Sequence, residues 1–188
     1  SPTLINNNLF SYNKKKFNKS RPVIFHIGTA FNKNLKNHIQ AITGLDCILI
    51  VLGPLNDKYI SLLENNHIDY KNYEYVSESR LVQIYKESDI LLFCSTLEGF
   101  GMPILEAQKI GRIVVTSNIS SMPEVAGSGA IFANPYDVKS IKRALLNAIL
   151  DDELRTNTIK AGFENSKRFS IEFVKNEYLK LYKAIYSE

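Results

Sequence analysis

Two apolar runs that each end in a glycine place the strongest constraint on how this chain can fold. Residues 22–28 read PVIFHIG and residues 47–53 read CILIVLG, and neither run alternates polar with apolar side chains. Strands of this kind are buried on both faces, which is typical of parallel sheets covered by helices. The two runs therefore predict an α/β fold in which helices connect parallel strands.

The order of the other segments extends this pattern. Predicted strands and helices alternate strictly along the chain, which favours right-handed crossovers and a doubly wound, mostly parallel, Rossmann-like sheet with helices on both faces. Beyond residue 138 the periodicity predicts only helices, so the C-terminus is expected to be helical. The predicted strands are 22–28, 47–53, 69–76, 89–94, 112–116 and 130–133, and the predicted helices are 35–43, 57–66, 78–87, 103–110, a turn near 123–125, and a C-terminal helix over 171–186.

The net charge of +4 is concentrated at one end of the chain. Residues 1–20 contain four lysines and no acid, so the rest of the chain is neutral overall. A nucleic-acid-binding domain usually carries its excess positive charge on the folded face, and we therefore expect no nucleic-acid partner. We predict that residues 1–20 form a solvated linker and that residues 21–188 form one folded domain. Contact of the lysines with an anionic membrane surface is the alternative, since each would contribute about 1 kcal/mol there.

The cysteines and histidines suggest neither a disulfide nor a metal site. Cys47 and Cys94 both lie in apolar runs, which is typical of buried free thiols in a reducing compartment and predicts a cytoplasmic protein. The three histidines are far apart and have no ligand-like spacing with the cysteines. We therefore predict no metal ion.

The segment 95–107 carries the features that suggest chemistry. In doubly wound folds, ligands bind outside the carboxyl ends of the strands, and this segment follows a predicted strand. Gly99 and Gly101 allow close backbone approach to a ligand, and the helix that begins at Pro103 has a partial positive charge suited to a diphosphate. Glu98 and Glu106 flank that helix start. Taken singly, either is typical of a solvated acid, but together with Gly-Phe-Gly they indicate a binding site.

This segment resembles the retaining GT-B glycosyltransferases of glycosyltransferase family 4. Two acids separated by seven residues enclose Gly-Phe-Gly-Met-Pro at 99–103, as in that family. The resemblance continues in Tyr-Lys-Glu-Ser-Asp-Ile at 85–90, in the segment 117–127 and in Asn-Pro-Tyr-Asp at 134–137. It covers nearly the whole chain, from about residue 22 to residue 186.

The resemblance implies a role for particular residues. Glu106 would hold the ribose hydroxyls of a donor nucleotide, and Glu98 would face the donor sugar as the catalytic carboxylate. Lys33 would be the diphosphate cation, although by itself it is equally typical of a surface lysine. Thr29 and Ala30 stand where family members often have an arginine, so a second cation is missing from that turn. The remaining residues implied in donor binding are Gly28, Tyr75, Val76, Gly99, Phe100, Gly101 and Met102.

The resemblance also implies an activity. The donor would be a UDP-, GDP- or ADP-sugar, the acceptor a glycan or lipid-linked glycan, and the transfer would retain the anomeric configuration without metal or other cofactor. A GT-B enzyme has two Rossmann-like halves, so this chain would be the donor half, with residues 1–20 leading from an N-terminal acceptor domain that the chain lacks. The abundance of Asn, Lys and Ile is typical of low-GC bacteria, in which such enzymes often build surface polysaccharide. We expect the isolated chain to be inactive.

Two other functions remain open. A sugar-nucleotide epimerase with the same architecture would also bind a nucleoside diphosphate, although the segment between Glu98 and Glu106 matches the transferases better. A non-catalytic nucleotide-sugar-binding module would keep the same pocket. A nucleotide-binding oxidoreductase is disfavoured, because Gly28 does not begin the Gly-x-Gly-x-x-Gly spacing typical of such enzymes.

Overall fold

The computed structural model describes residues 10–169, which contain a six-stranded sheet and seven α-helices. The strands are β1 (Val23–Ile27), β2 (Ile48–Leu52), β3 (Asp69–Tyr73), β4 (Ile90–Phe93), β5 (Ile113–Ser117) and β6 (Ile131–Ala133). The helices are α1 (Leu35–Ile42), α2 (Asp57–Asn65), α3 (Glu78–Glu87), α4 (Met102–Ile110), α5 (Met122–Ala126), α6 (Val138–Leu150) and α7 (Asp152–Lys167). A short 3-10 turn, Phe31–Lys33, precedes α1.

The sheet has the strand order β3-β2-β1-β4-β5-β6, and every neighbouring pair is parallel. Successive residues of a strand point to opposite faces, and in β4 this places Ile90 and Leu92 in one core cluster and Leu91 in the other. The first cluster also contains side chains of α1, α2 and α6, and the second contains side chains of α3, α4 and α5. The predicted doubly wound α/β fold is confirmed.

Most predicted boundaries shift by only one or two residues. The largest difference is β3, which ends at Tyr73 rather than at Val76. This strand lies at the edge of the sheet and is mostly exposed, so its sequence carries little of the apolar pattern that marks a strand end. The predicted helix over 171–186 lies outside the described residues.

Residues 10–20, predicted as part of a solvated linker, are mostly exposed, but several of their side chains are anchored to the domain. Phe10 is buried with its ring edge-on to Tyr85, at a centroid distance of 5.9 Å. The Arg112 guanidinium is itself buried and donates to the side chain of Asn13 at 2.7 Å and to the carbonyl of Tyr85 at 2.9 Å. Lys15 forms an ion pair with the buried Asp89. These contacts could not be predicted from the polar composition of the segment, because their partners lie far away in the sequence.

None of the helices within residues 10–169 is both long and apolar enough to cross a membrane.

Candidate functional site

The candidate site lies where the strand order of the sheet reverses direction. The strands β2 and β3 lie on one side of β1, whereas β4, β5 and β6 lie on its other side. The switch point is therefore between β1 and β4, which pair directly. The chain leaves β1 toward α1 on one face of the sheet and leaves β4 toward α4 on the other face. Because the two connections diverge, a crevice opens at the carboxyl ends of these strands, and ligands of doubly wound folds bind in that position.

Lys33 and Glu98 meet in this crevice. The Lys33 ammonium donates to Oε1 of Glu98 at 2.7 Å, although the residues are 65 positions apart. Their side chains are 23% and 11% exposed, so the pair is largely shielded from water while remaining reachable. The ammonium also lies 5.0 Å from the centroid of the Phe93 ring. A cation and a carboxylate are therefore brought together at the switch point of the sheet.

Gly28 provides the space for Lys33. Its φ of 90° lies in the left-handed region, and a Cβ placed on it would lie 2.9 Å from Cγ of Lys33. The Lys33 stem thus crosses directly over the glycine. Gly28 was predicted for donor binding, and within the chain its visible role is to let Lys33 reach Glu98.

Two serines hold the loop that carries Glu98. The Ser120 hydroxyl donates to the carbonyl of Glu98 at 3.0 Å, and the Ser121 hydroxyl donates to the carbonyls of Glu98 at 3.0 Å and Phe100 at 2.8 Å. On the other side, the Asn32 side-chain amide donates to the carbonyl of Leu97 at 2.8 Å. These bonds fix the loop between the turns that follow β1 and β5.

Glu106 lies one turn inside α4 and is half buried. The hydroxyl of the fully buried Tyr85 donates to its Oε2 at 2.7 Å. Burial raises the pKa of Glu106, and the charge of Glu78 raises it further, while the hydrogen bond from Tyr85 opposes both effects. The carboxylate is thus held in a fixed orientation next to the glycine-rich loop.

The start of α4 is open. Gly101 is its N-cap with a φ of 110°, and no side chain of the described chain caps this end. A Cβ on Gly99 would meet nothing within 4 Å, so the space beside the loop is empty. Phe100 is partly exposed with its ring edge-on to Phe169, and Met102 is half buried against the core. The helix start therefore presents its positive end to an unfilled space.

Tyr75 and Val76 are also predicted to bind the donor. They follow β3, and β2 separates that strand from β1. Tyr75 is largely exposed, whereas Val76 packs against the cluster that contains Tyr85 and Ile104. The structure therefore brings Lys33 into direct contact with Glu98, and the loop that carries Glu98 leads into α4. Glu106 lies one turn inside that helix, and Val76 packs in the core cluster that contains side chains of α4.

Among the described residues, no group of three or more His, Cys, Asp or Glu side chains is arranged to hold a metal ion. Cys47 and Cys94 are both buried free thiols.

Three residues support the predicted site but were not predicted to do so from the sequence: Tyr85, Ser120 and Ser121. Tyr85 could have been recognised, because it lies three positions after Val82 on the buried face of α3, and a buried phenol requires a hydrogen-bond partner. Ser120 and Ser121 offered no such signal, because their partners are 22 and 23 positions away and depend on the strand order.

Comparison with known proteins gives an independent result. The sequence profile of the family described as glycosyl transferases group 1 matches residues 9–165. The O-antigen chain mannosyltransferase B of Escherichia coli is 36% identical over 111 residues, which cover 59% of this chain and 29% of that protein. The match thus covers less than a third of the length of this relative.

Two solved structures share the fold. The C-terminal domain of a group 1 glycosyl transferase (LpcC) from Francisella tularensis has a TM-score of 0.73 at 17% identity, over 87% of this chain and 97% of that one. Anabaena HepE, solved in complex with UDP and glucose, has a TM-score of 0.70 at 15% identity, over 87% of this chain and 48% of that one. The fold is that of one Rossmann-like half of a GT-B enzyme, and the profile match over most of its length shows that the chain belongs to the glycosyl transferases group 1 family.

Proposed function

We propose that this chain is the donor-binding half of a glycosyltransferase that moves a sugar from a nucleoside-diphosphate donor to an acceptor hydroxyl. The observation that carries the proposal is the Lys33–Glu98 pair beside the uncapped start of α4 at the switch point of the sheet. A cation and a helix start suit a diphosphate, and the oriented carboxylate of Glu106 suits the vicinal hydroxyls of a ribose.

The chemistry follows from where charge develops. When the bond between the sugar and the diphosphate breaks, negative charge grows on the departing phosphate oxygens. Lys33 and the first N–H groups of α4 would stabilise that charge without a metal ion, and preorganised groups of this kind supply several kcal/mol. Glu98 would then face the sugar as Lys33 turns toward the phosphates. Retention of the anomeric configuration, as in glycosyltransferase family 4, belongs to this proposal.

The other half of the reaction would come from outside this chain. The groups described above come from turns at one edge of one sheet, so they hold a donor from one side. An acceptor domain preceding residue 1, joined through residues 1–20, would supply the opposite wall and bind a glycan or lipid-linked glycan. The similarity to an O-antigen mannosyltransferase supports a role in bacterial surface polysaccharide synthesis, and the free cysteines support a cytoplasmic location, with peripheral contact at the inner face of the membrane through the lysines.

The family assignment does not favour the epimerase alternative, since the chain is related to transferases. A non-catalytic binding module remains the second candidate, because it would have the same Lys33, Glu98 and Glu106 arrangement.

A thermal-shift panel of UDP, GDP and ADP, with and without EDTA, tests donor binding. A ligand that binds only the folded state raises the melting temperature by mass action. We expect one base to give the largest shift and EDTA to leave it unchanged. No shift with any nucleoside diphosphate at millimolar concentration would refute the proposal, and a shift abolished by EDTA would refute the metal-independent mechanism.

A comparison of this chain with the full-length protein distinguishes enzyme from module. The isolated chain should transfer no sugar, because losing acceptor orientation can cost roughly 7–11 kcal/mol of barrier reduction. The full-length protein should be active and should lose activity on Glu98→Ala. Activity from residues 1–188 alone would contradict the two-domain arrangement, and an inactive full-length protein that still binds donor would favour the module.

A further inference from the structure

Two buried histidines lie directly behind the turn that carries Lys33. His26 is on β1 and His38 is on α1, and both are fully buried. Their Nδ1 atoms are 2.8 Å apart, and Nε2 of His26 is 2.6 Å from the carbonyl oxygen of Gly28. Imidazoles are polar groups whose burial costs free energy unless they form hydrogen bonds, so the partners of this buried pair need to be identified.

The hydrogen bonds determine where each proton lies. The Gly28 carbonyl can only accept, so Nε2 of His26 carries a proton and donates. Burial lowers the pKa of His26 to about 4 and that of His38 well below its ordinary value, so both rings are neutral at pH 7. A neutral ring has one N–H, which leaves Nδ1 of His26 as an acceptor. Nδ1 of His38 must therefore donate to it, and Nε2 of His38 is left as an acceptor that has no hydrogen-bond partner in the described chain.

The resulting chain of bonds has one direction: from His38 to His26, and from His26 to the Gly28 carbonyl. A reversed direction would place two lone pairs against each other at the Gly28 end. We call His38, His26 and the Gly28 carbonyl the histidine relay. Because both rings are neutral, its hydrogen bonds have a single arrangement, and a buried polar network with a single arrangement holds its members in place.

The relay also closes the turn into a ring. His26 lies just before the turn 28–34, and His38 lies one helical turn after it. The backbone N–H of His38 donates to the carbonyl of Asn34 at 3.2 Å. The contact between the histidines therefore joins the two ends of the segment that contains Lys33. Within it, the Lys33 stem crosses Gly28 on its way to Glu98, so the placement of the ammonium depends on the placement of the Gly28 peptide.

We propose that His26 and His38 are positioning residues that hold the Gly28 turn, and through it the Lys33 ammonium, in the place where a donor diphosphate binds. This rests on the proposed function for the identity of the ligand. The histidines touch no ligand themselves and act only through Gly28. Their effect should accordingly be confined to the phosphate end of the donor, away from Glu106.

The test compares two substitutions at His26. His26→Gln keeps an N–H for the Gly28 carbonyl and an oxygen that accepts from His38, whereas His26→Phe keeps a ring and removes both functions. Ile24→Val is the matched control, because Ile24 is on the same strand, is fully buried and packs in the cluster that contains α1 residues, without a bond to the turn. Each protein is titrated calorimetrically with the nucleoside diphosphate that binds the wild type most tightly and with the corresponding nucleoside.

We expect His26→Phe to weaken diphosphate binding by about tenfold, the effect of one lost charged hydrogen bond, and to leave nucleoside binding unchanged. His26→Gln and Ile24→Val should bind both ligands nearly as the wild type does. Equal losses for the diphosphate and the nucleoside would show a merely structural role and would overturn the proposal, as would full diphosphate affinity in His26→Phe. Where His26→Phe fails to fold, His38→Leu, which removes the donor to His26, takes its place.

Tautomer NMR separates this inference from the proposed function. Long-range ¹H–¹⁵N spectra at pH 7 should show a proton on Nε2 of His26 and on Nδ1 of His38. If the wild type binds no nucleoside diphosphate, the proposed function is wrong, but this spectrum still tests the hydrogen-bond arrangement of the histidine relay. A charged ring or the opposite tautomers would overturn it.

Discussion

The aliphatic stem of Lys33 crosses Gly28, so that a Cβ on this glycine would lie 2.9 Å from Cγ of Lys33. A contact this short forces one of the two groups to move. The backbone of Gly28 is held by its N–H, which donates to the carbonyl of Leu52 at 2.7 Å, and by the bond from His26 to its carbonyl. The lysine is therefore the group that must yield, and its partner Glu98 would be left without its cation.

Gly28→Ala tests this contact, with Gly44→Ala as the control. The φ angles are 90° and 80°, so both substitutions carry left-handed strain of about 1–2 kcal/mol. A Cβ on Gly44, however, meets nothing within 4 Å. Both variants should therefore lose similar stability in urea unfolding, but only Gly28→Ala should weaken nucleoside-diphosphate binding. Equal binding by the two variants would contradict the role assigned to Gly28.

Lys33→Met should weaken nucleoside-diphosphate binding by about 1–3 kcal/mol, because a charged hydrogen bond to phosphate is lost and the unpaired Glu98 repels the ligand. The unfolding free energy should change by only about 1 kcal/mol, because the pair, although largely shielded, remains reachable by water through the 23% exposed Lys33 side chain. Calorimetry measures the first and urea denaturation the second. Lys33→Met/Glu98→Gln should recover part of the affinity. A double variant that binds no better than Lys33→Met would show that the two residues do not act together.

Glu106→Gln should weaken nucleotide binding by about 1–3 kcal/mol without loss of stability at neutral pH. Burial raises the pKa of Glu106 above its ordinary value of 4.5, so at a pH between 4.5 and the folded-state pKa the folded protein keeps a proton that the unfolded chain has released. The stability from this group is therefore fully present below pH 4.5 and is lost as pH rises through the folded-state pKa. The glutamine side chain does not titrate, so the variant has no such pH-dependent loss of stability, and its amide oxygen can still accept the hydrogen bond from the Tyr85 hydroxyl.

The matched control for this variant is Glu78→Gln, which removes an exposed charge that also raises the Glu106 pKa. It should leave nucleotide affinity unchanged in calorimetry. If Glu106→Gln binds nucleotide as tightly as the wild type, the ribose assignment is wrong.

Stability should fall as pH drops from 6.5 toward 4. The unfolded His26 takes up a proton near pH 6.5, whereas burial delays protonation in the folded state until about pH 4. The stability contributed by the neutral ring is thus fully present above pH 6.5 and is lost through this window, by about 3 kcal/mol for His26 at 1.36 kcal/mol per pKa unit. His38 is shifted in the same direction and adds to the loss.

Urea denaturation at several pH values between 7 and 4 measures this loss, and the difference between wild type and His26→Gln/His38→Gln removes the contribution of the carboxylates. The double variant should have a flatter profile. His67→Gln, at an exposed position, is the control and should keep the wild-type profile. A profile that is identical in wild type and the double variant would contradict the burial of two neutral histidines.

The type and order of the strands and helices could be predicted from local sequence patterns. Continuous apolar runs such as β1 and β2 are typical of strands covered by helices on both faces, and their alternation with helical segments predicted the α/β class. Gly101 followed by Pro103 predicted the start of α4. Glu98, Glu106 and Lys33 were identified because they stand in a recognisable motif or turn.

Which of these residues come into contact depends on the packing of the whole domain. Lys33 reaches Glu98 because β1 and β4 are neighbours, and no local pattern specifies that pairing across 65 residues. The same holds for Tyr85 against Glu106, for the histidine relay, and for the docking of residues 10–20 through Arg112. Periodicity reports how each segment is buried, whereas the partner of a buried polar group is set by strand order and helix packing, which arise from the competition of all segments for one core.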